Sequence, residues 1–107
     1  MEENVLDLEV CKSQEVNEAY MRYSLLGQQV KEILKAMFGG YSIPLQVKGS
    51  QRDVDSFMNT LGKEKRYMDA YMSFGLSDPK TYKSKYELQR AVKDFQNKTG
   101  LTWPFSF

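Results

Sequence analysis

Histidine is absent from this chain, and cysteine occurs once, as Cys11. The first absence removes the side chain that titrates near neutrality unperturbed. With it go the Ser-His-Asp and Cys-His arrangements of nucleophilic catalysis. Together the two shortages exclude a structural zinc site, whose four ligands are nearly always Cys or His. One cysteine cannot close a disulfide within a chain, so a reducing compartment is expected. Long apolar runs are missing as well. None exceeds three residues, at Ala19-Tyr20-Met21 and Ala36-Met37-Phe38, against the roughly 20 that a membrane helix needs. The opening Met1-Glu2-Glu3-Asn4 is acidic where a secretory signal carries positive charge. A soluble, cytoplasmic protein that meets no membrane is the expectation. Internal repeats, low-complexity segments and Pro/Gly/Ser-rich linkers are also lacking.

What is present suits a folded chain. Its 107 residues are 41% hydrophobic, 27% charged and 13% aromatic, a globular composition at a length that fits one domain, 1–107. The formal net charge is +1, but it is spread unevenly. Residues 1–61 carry 6 Lys/Arg against 9 Asp/Glu, whereas residues 62–107 carry 9 against 5. The second half therefore suits an anionic partner, or simply complements the first.

Periodicity predicts the elements. Leu6, Leu8 and Val10 alternate with Asp7 and Glu9, as a half-buried strand over 5–10 would. Ala19, Tyr23, Leu26, Val30, Ile33 and Met37 recur at spacings of 4 and 3, predicting a helix over 14–38 with Ser13 as N-cap, Glu15 in its first turn and Gly39 just beyond it. Tyr41, Ile43, Leu45 and Val47 predict a strand over 42–48, placed at an edge or bulge by Pro44. Ser50 to Asp53 resembles a capping box, opening a helix over 51–74 with Val54, Phe57, Met58 and Leu61 on one face and a break or kink near Gly62. Ser84-Lys85-Tyr86-Glu87 is a fuller capping box. It predicts a helix over 84–99 whose apolar face is Leu88, Ala91, Val92 and Phe95, with Gly100 in the left-handed cap. Residues 101–107 alternate again, with Leu101, Trp103, Phe105 and Phe107 on one side. The fold class expected is a small α+β domain dominated by three helices, with two or three short extended segments; the alternative is all-α.

Two constellations carry functional expectations. Lysines and tyrosines intermingle over 63–98, and cations beside aromatic faces suit phosphates and stacked bases. Lys63, Lys65, Arg66, Lys83 and Lys85 are the candidate nucleic-acid contacts. The plainer account is a solvated helix face with half-buried tyrosines, since Glu64, Asp69, Asp78 and Glu87 dilute the charge. The second is the aromatic tail: Trp103, Phe105 and Phe107 either pack on their own domain or dock into a partner. The expected cover for that tail is helix 14–38, of the same chain or of a second copy in a homodimer. The internal methionines (Met21, Met37, Met58, Met68 and Met72) could line an adaptable groove, though core filling explains them as well. Asp7 with Glu9, and Asp53 with Asp55, are carboxylate pairs on which nothing else converges, and no catalytic residue, metal ligand or cofactor site is expected. No stretch matches a family motif. In its general look the chain is similar to the short accessory and regulatory proteins of large tailed phages, a likeness carried by no particular residue. The function expected is a non-enzymatic protein-interaction or regulatory module; the alternative is a nucleic-acid-binding accessory protein.

Overall fold

The computed structural model describes residues 4–14, 30–36 and 45–104. Strand β1 (Asn4–Asp7) leads directly into helix α1 (Leu8–Gln14). Residues 30–36 form a helical stretch, α2. Strand β2 (Leu45–Lys48) follows, then the long helices α3 (Gln51–Phe74) and α4 (Pro79–Thr99). β1 and β2 pair in parallel, Asn4 opposite Leu45 and Asp7 opposite Lys48. The class is the α+β one expected, mostly helical with a small sheet.

Several boundaries differ from the expected ones, each for a physical reason. The strand predicted over 5–10 stops at Asp7, because the Asp7 side chain caps a helix. Its Oδ1 accepts from the backbone N–H of Glu9 at 3.0 Å and of Val10 at 3.3 Å, satisfying donors that a helix start leaves orphaned. Leu6, Leu8 and Cys11 turn inward while Val10 is exposed. Ser13 is therefore a residue of α1 and not the cap of a helix beginning at 14. Residues 15–29 and 37–44 lie outside the described residues, and with them Glu15, Gly39, Pro44 and most of the predicted 14–38 stripe. Of that stripe, Val30 and Ile33 are buried, together with Leu34.

α3 runs unbroken through Gly62, so the expected break is absent. A Cβ at Gly62 would meet nothing within 4 Å, and of the charged run after it Arg66 is exposed, Lys63 and Lys65 are half-buried and Glu64 turns into the core. Ser50 is the N-cap, its hydroxyl accepting from the Asp53 N–H at 3.2 Å. Phe57 and Leu61 are buried and Val54 packs against the core, but Met58 is exposed, a correction to its expected inward face. α4 begins at Pro79, well before the predicted Ser84. Asp78 is its N-cap, accepting from the Lys80 N–H at 2.8 Å, and proline occupies the first turn where its missing N–H is harmless. At the other end Gly100 adopts the left-handed conformation (φ 75°), and its N–H donates to Gln96 O.

α3 and α4 form an antiparallel hairpin joined at its tip by residues 75–78. Polar side chains knit the interhelical seam. The Thr60 hydroxyl donates to Ser56 O at 2.8 Å, with Ala91 O of the facing helix at 3.2 Å, and the Thr81 hydroxyl donates to Ala70 O at 3.2 Å. One face of the hairpin's base carries the core: Leu6, Leu8, Cys11, Val30, Ile33 and Leu34 close over Phe57, Leu61 and Phe95, with Leu101 and Trp103 from the tail. Each such side chain contributes roughly 1.5–3 kcal/mol of transfer free energy.

An ion pair ties α1 to the start of α3. Lys12 Nζ lies 2.6 Å from Asp53 Oδ2, and Asp53 is buried. The ammonium holds the Asp53 carboxyl below its ordinary value, and the carboxylate in turn raises Lys12. Asp53 Oδ1 is buried without a hydrogen bond, with Arg52 Nε at 3.7 Å. The pair is thus one-sided, and its geometry depends on Lys12.

Candidate interaction surface at the hairpin tip

The tail's Trp103 is 3% exposed. Its indole packs edge-on against Phe95 with centroids 5.4 Å apart and tilts over Phe57 at 6.0 Å, a geometry that aromatic quadrupoles favour. Its cover is therefore the α3–α4 seam rather than a helix over 14–38 alone. The Thr99 hydroxyl sets the tail's departure by accepting from the Leu101 N–H at 3.0 Å, and Gln96 Oε1 accepts from the Trp103 N–H at 3.1 Å. The indole Nε1–H donates to Glu64 Oε1 at 2.9 Å. Burial pushes the Glu64 carboxyl above its ordinary value, more than this hydrogen bond draws it down. Phe105 and Phe107, the other two candidate docking residues, lie outside the described residues.

The five candidate nucleic-acid contacts do not form one patch. Lys63 and Arg66 converge on a single carboxylate, Glu87, at 3.6 and 3.8 Å. Lys65 pairs with Asp69 one turn on, at 2.7 Å. Lys83 and Lys85 stand two positions apart on a helix, which puts them about 200° apart around its axis. Lys83 is exposed; Lys85 is half-buried. On the hairpin's outer face Asn59, Lys63, Glu87, Arg90, Ala91 and Asp94 line an open polar groove of about 430 Å³. Its charges alternate in sign.

Sequence periodicity missed the tip. The apolar stripe of α3 continues past the core through Tyr71 and Met72, but among the described residues the elements that cover its base do not reach that far. Tyr71, Met72, Phe74, Leu76, Tyr82 and Tyr86 are 48–64% exposed, and all fall within residues 71–86. Beside them a recess of about 200 Å³ opens between Tyr67, Leu76, Thr81, Tyr82 and Lys85. Lys80 Nζ sits 4.4 Å over the Phe74 ring and the Arg90 guanidinium 5.9 Å from that of Tyr86, so cations and aromatic faces are interleaved here. The signal that the sequence holds for it is Leu76, an apolar residue in the polar turn Gly75 to Pro79.

The carboxylate pairs resolve into local structure. Asp7 caps α1, Glu9 pairs with Lys12 at 3.2 Å, and Asp55 accepts from Gln51. Among the described residues no three acidic or cysteine side chains gather as metal ligands would, and no helix is long and apolar enough to cross a membrane. No family model, no curated protein and no solved structure matches this chain.

Proposed function

We propose that this chain is a non-enzymatic interaction module that docks onto another protein through the tip of the α3–α4 hairpin. One observation carries the reading: among the described residues, six of the nine large apolar side chains that are exposed lie within residues 71–86. Isolated exposed apolar residues are ordinary, but a contiguous group rimmed by polar side chains marks surfaces that bind. Met, Tyr and Phe are the types enriched at protein interfaces. The hairpin supports the patch rigidly, since Thr81 and Ala70 bond across the seam directly behind it.

The test is site-specific photo-cross-linking in the cells the protein comes from, with the photoreactive residue at position 76 and, as a control, at the exposed Asn97. A nuclease-resistant, protein-sized adduct from position 76 alone, lost in Met72→Glu, is the expected result. Equal labelling from both positions, or none from position 76, defeats the proposal.

A nucleic-acid reading draws on Lys83 standing between the exposed Tyr82 and Tyr86. It predicts binding to single strands that weakens steeply with salt. A salt titration of oligonucleotide binding separates the two readings.

A further inference from the structure

We infer that the recess at the hairpin tip receives one large apolar side chain from an acidic peptide segment of a partner protein. The inference rests on the docking reading above and adds the chemistry of the partner.

The recess sets the size of the guest. At about 200 Å³ it falls below the roughly 300 Å³ at which small-molecule sites begin, and it suits a single side chain. Leu76 and Tyr82, which line it, are 57% and 62% exposed. A Trp, Phe or Leu seated there would cover apolar surface on host and guest together.

Charge sets the character of the segment around it. The tip carries Lys80, Lys83 and Lys85. Among the described residues none of the three has a carboxylate within 4 Å, and neither have Lys31, Lys35, Lys48, Arg90 and Lys93, whereas Lys12, Arg52, Lys63, Lys65, Arg66 and Lys98 do. Asp78 is the one acid between 70 and 86, and its carboxylate is engaged in capping α4. Of the three, Lys85 lines the recess, while Lys80 and Lys83 project from the other side of α4; Glu or Asp beside the anchor complements Lys85. A second copy fits poorly. A two-fold contact between tips would set the same lysines against each other. A nucleic-acid strand would use the lysines and tyrosines but leave Met72 and Leu76 without a role.

The experiment is selection of a randomised short-peptide display library on the protein, with counter-selection on Leu76→Glu. That position is exposed and in a turn, so the variant should fold, which its circular dichroism and melting temperature check. The surviving peptides are expected to carry Asp or Glu around one Trp, Phe or Leu. A synthetic peptide of that consensus should weaken about tenfold when its acids become amides, and similarly against Lys85→Glu, with both losses shrinking at high salt. Survivors without acidic enrichment, or a consensus peptide indifferent to amidation, overturn the charge assignment while docking at the tip stands. No survivors, in a protein whose position 76 still cross-links, overturn the peptide chemistry alone; no survivors and no cross-link overturn the docking reading too. Tighter binding of an oligonucleotide than of the consensus peptide assigns the tip to nucleic acid instead. Dimers that dissociate in Leu76→Glu assign it to a second copy.

Discussion

Trp103 donates its indole N–H to Glu64 Oε1 at 2.9 Å, and both residues are buried, 3% and 2% exposed. A tail residue thus satisfies a carboxylate inside the hairpin's core. Trp103→Ala removes the ring contacts with Phe57 and Phe95 as well as this bond, and is expected to destabilise by about 3–5 kcal/mol in denaturant unfolding. Trp103→Phe keeps most of the packing but leaves the carboxylate without its donor, so an intermediate loss of about 1–3 kcal/mol is expected. Equal stability of Trp103→Phe and wild type would show that the hydrogen bond contributes nothing.

Glu64 gives that contact a pH dependence. Its folded carboxyl lies above the ordinary 4.5 because burial disfavours the charge. Between those two values the folded state binds more protons than the unfolded one, so stability declines as pH rises through this window. Glu64→Gln keeps an acceptor for Trp103 and never ionises. It should be more stable than wild type at pH 7, with the gap closing as pH falls below about 4.5. A gap independent of pH would refute the assignment.

The Lys12–Asp53 pair acts in the opposite sense on the acid side. Asp53 is lowered from 3.8, so its contribution is complete above that value and is lost as pH falls through its folded value. Lys12 is raised from 10.5, and its contribution is lost as pH rises through its own folded value. Lys12→Met strands a buried carboxylate. The expected loss is about 2 kcal/mol at neutral pH, less than for a fully buried pair because the ammonium reaches solvent. Both ends of the pH–stability profile should flatten in this variant.

Gly62 sits in the interior of a continuous helix, exposed, with open space where a Cβ would project. Gly62→Ala should therefore raise stability by roughly 0.5–1 kcal/mol through reduced freedom of the unfolded chain. A loss instead would mean that a bend at this position is populated in solution.

Asp78 and Ser84 compete as the start of α4, and thermal unfolding decides between them. Asp78→Ala removes the acceptor for the Lys80 N–H and is expected to cost about 1 kcal/mol. Ser84 lies one and a half turns inside the helix, so Ser84→Ala should be neutral or slightly stabilising.

Much of the hairpin was legible from the sequence. Both ends of α3 and the end of α4 follow from Ser50, Gly75 and Gly100, and the inward side of α4 follows from Leu88, Ala91, Val92 and Phe95. What misled were patterns that two structures share. Leu6, Leu8 and Val10 alternate like a strand, yet a strand end followed by a helical turn buries Leu6, Leu8 and Cys11 instead. Ser84 to Glu87 has the spacing of a capping box, but Asp78-Pro79 reaches the backbone first. The tip surface was not legible for a different reason. Tyr71 and Met72 have the periodicity of core residues, and their exposure depends on how far the covering elements extend along the hairpin. That is a tertiary property, invisible to local spacing.

Leu6 and Trp103 share one core, which has a consequence for how the protein is made. Synthesis proceeds from the N-terminus, so Leu6 and Leu8 emerge early and wait for partners that nearly the whole chain separates from them. The α3–α4 hairpin can form from local contacts, but Phe57 and Phe95 lack their indole partner until Trp103 leaves the ribosome. A nascent chain stalled before that point holds a core that lacks its indole, and is there a natural client for chaperones or proteases.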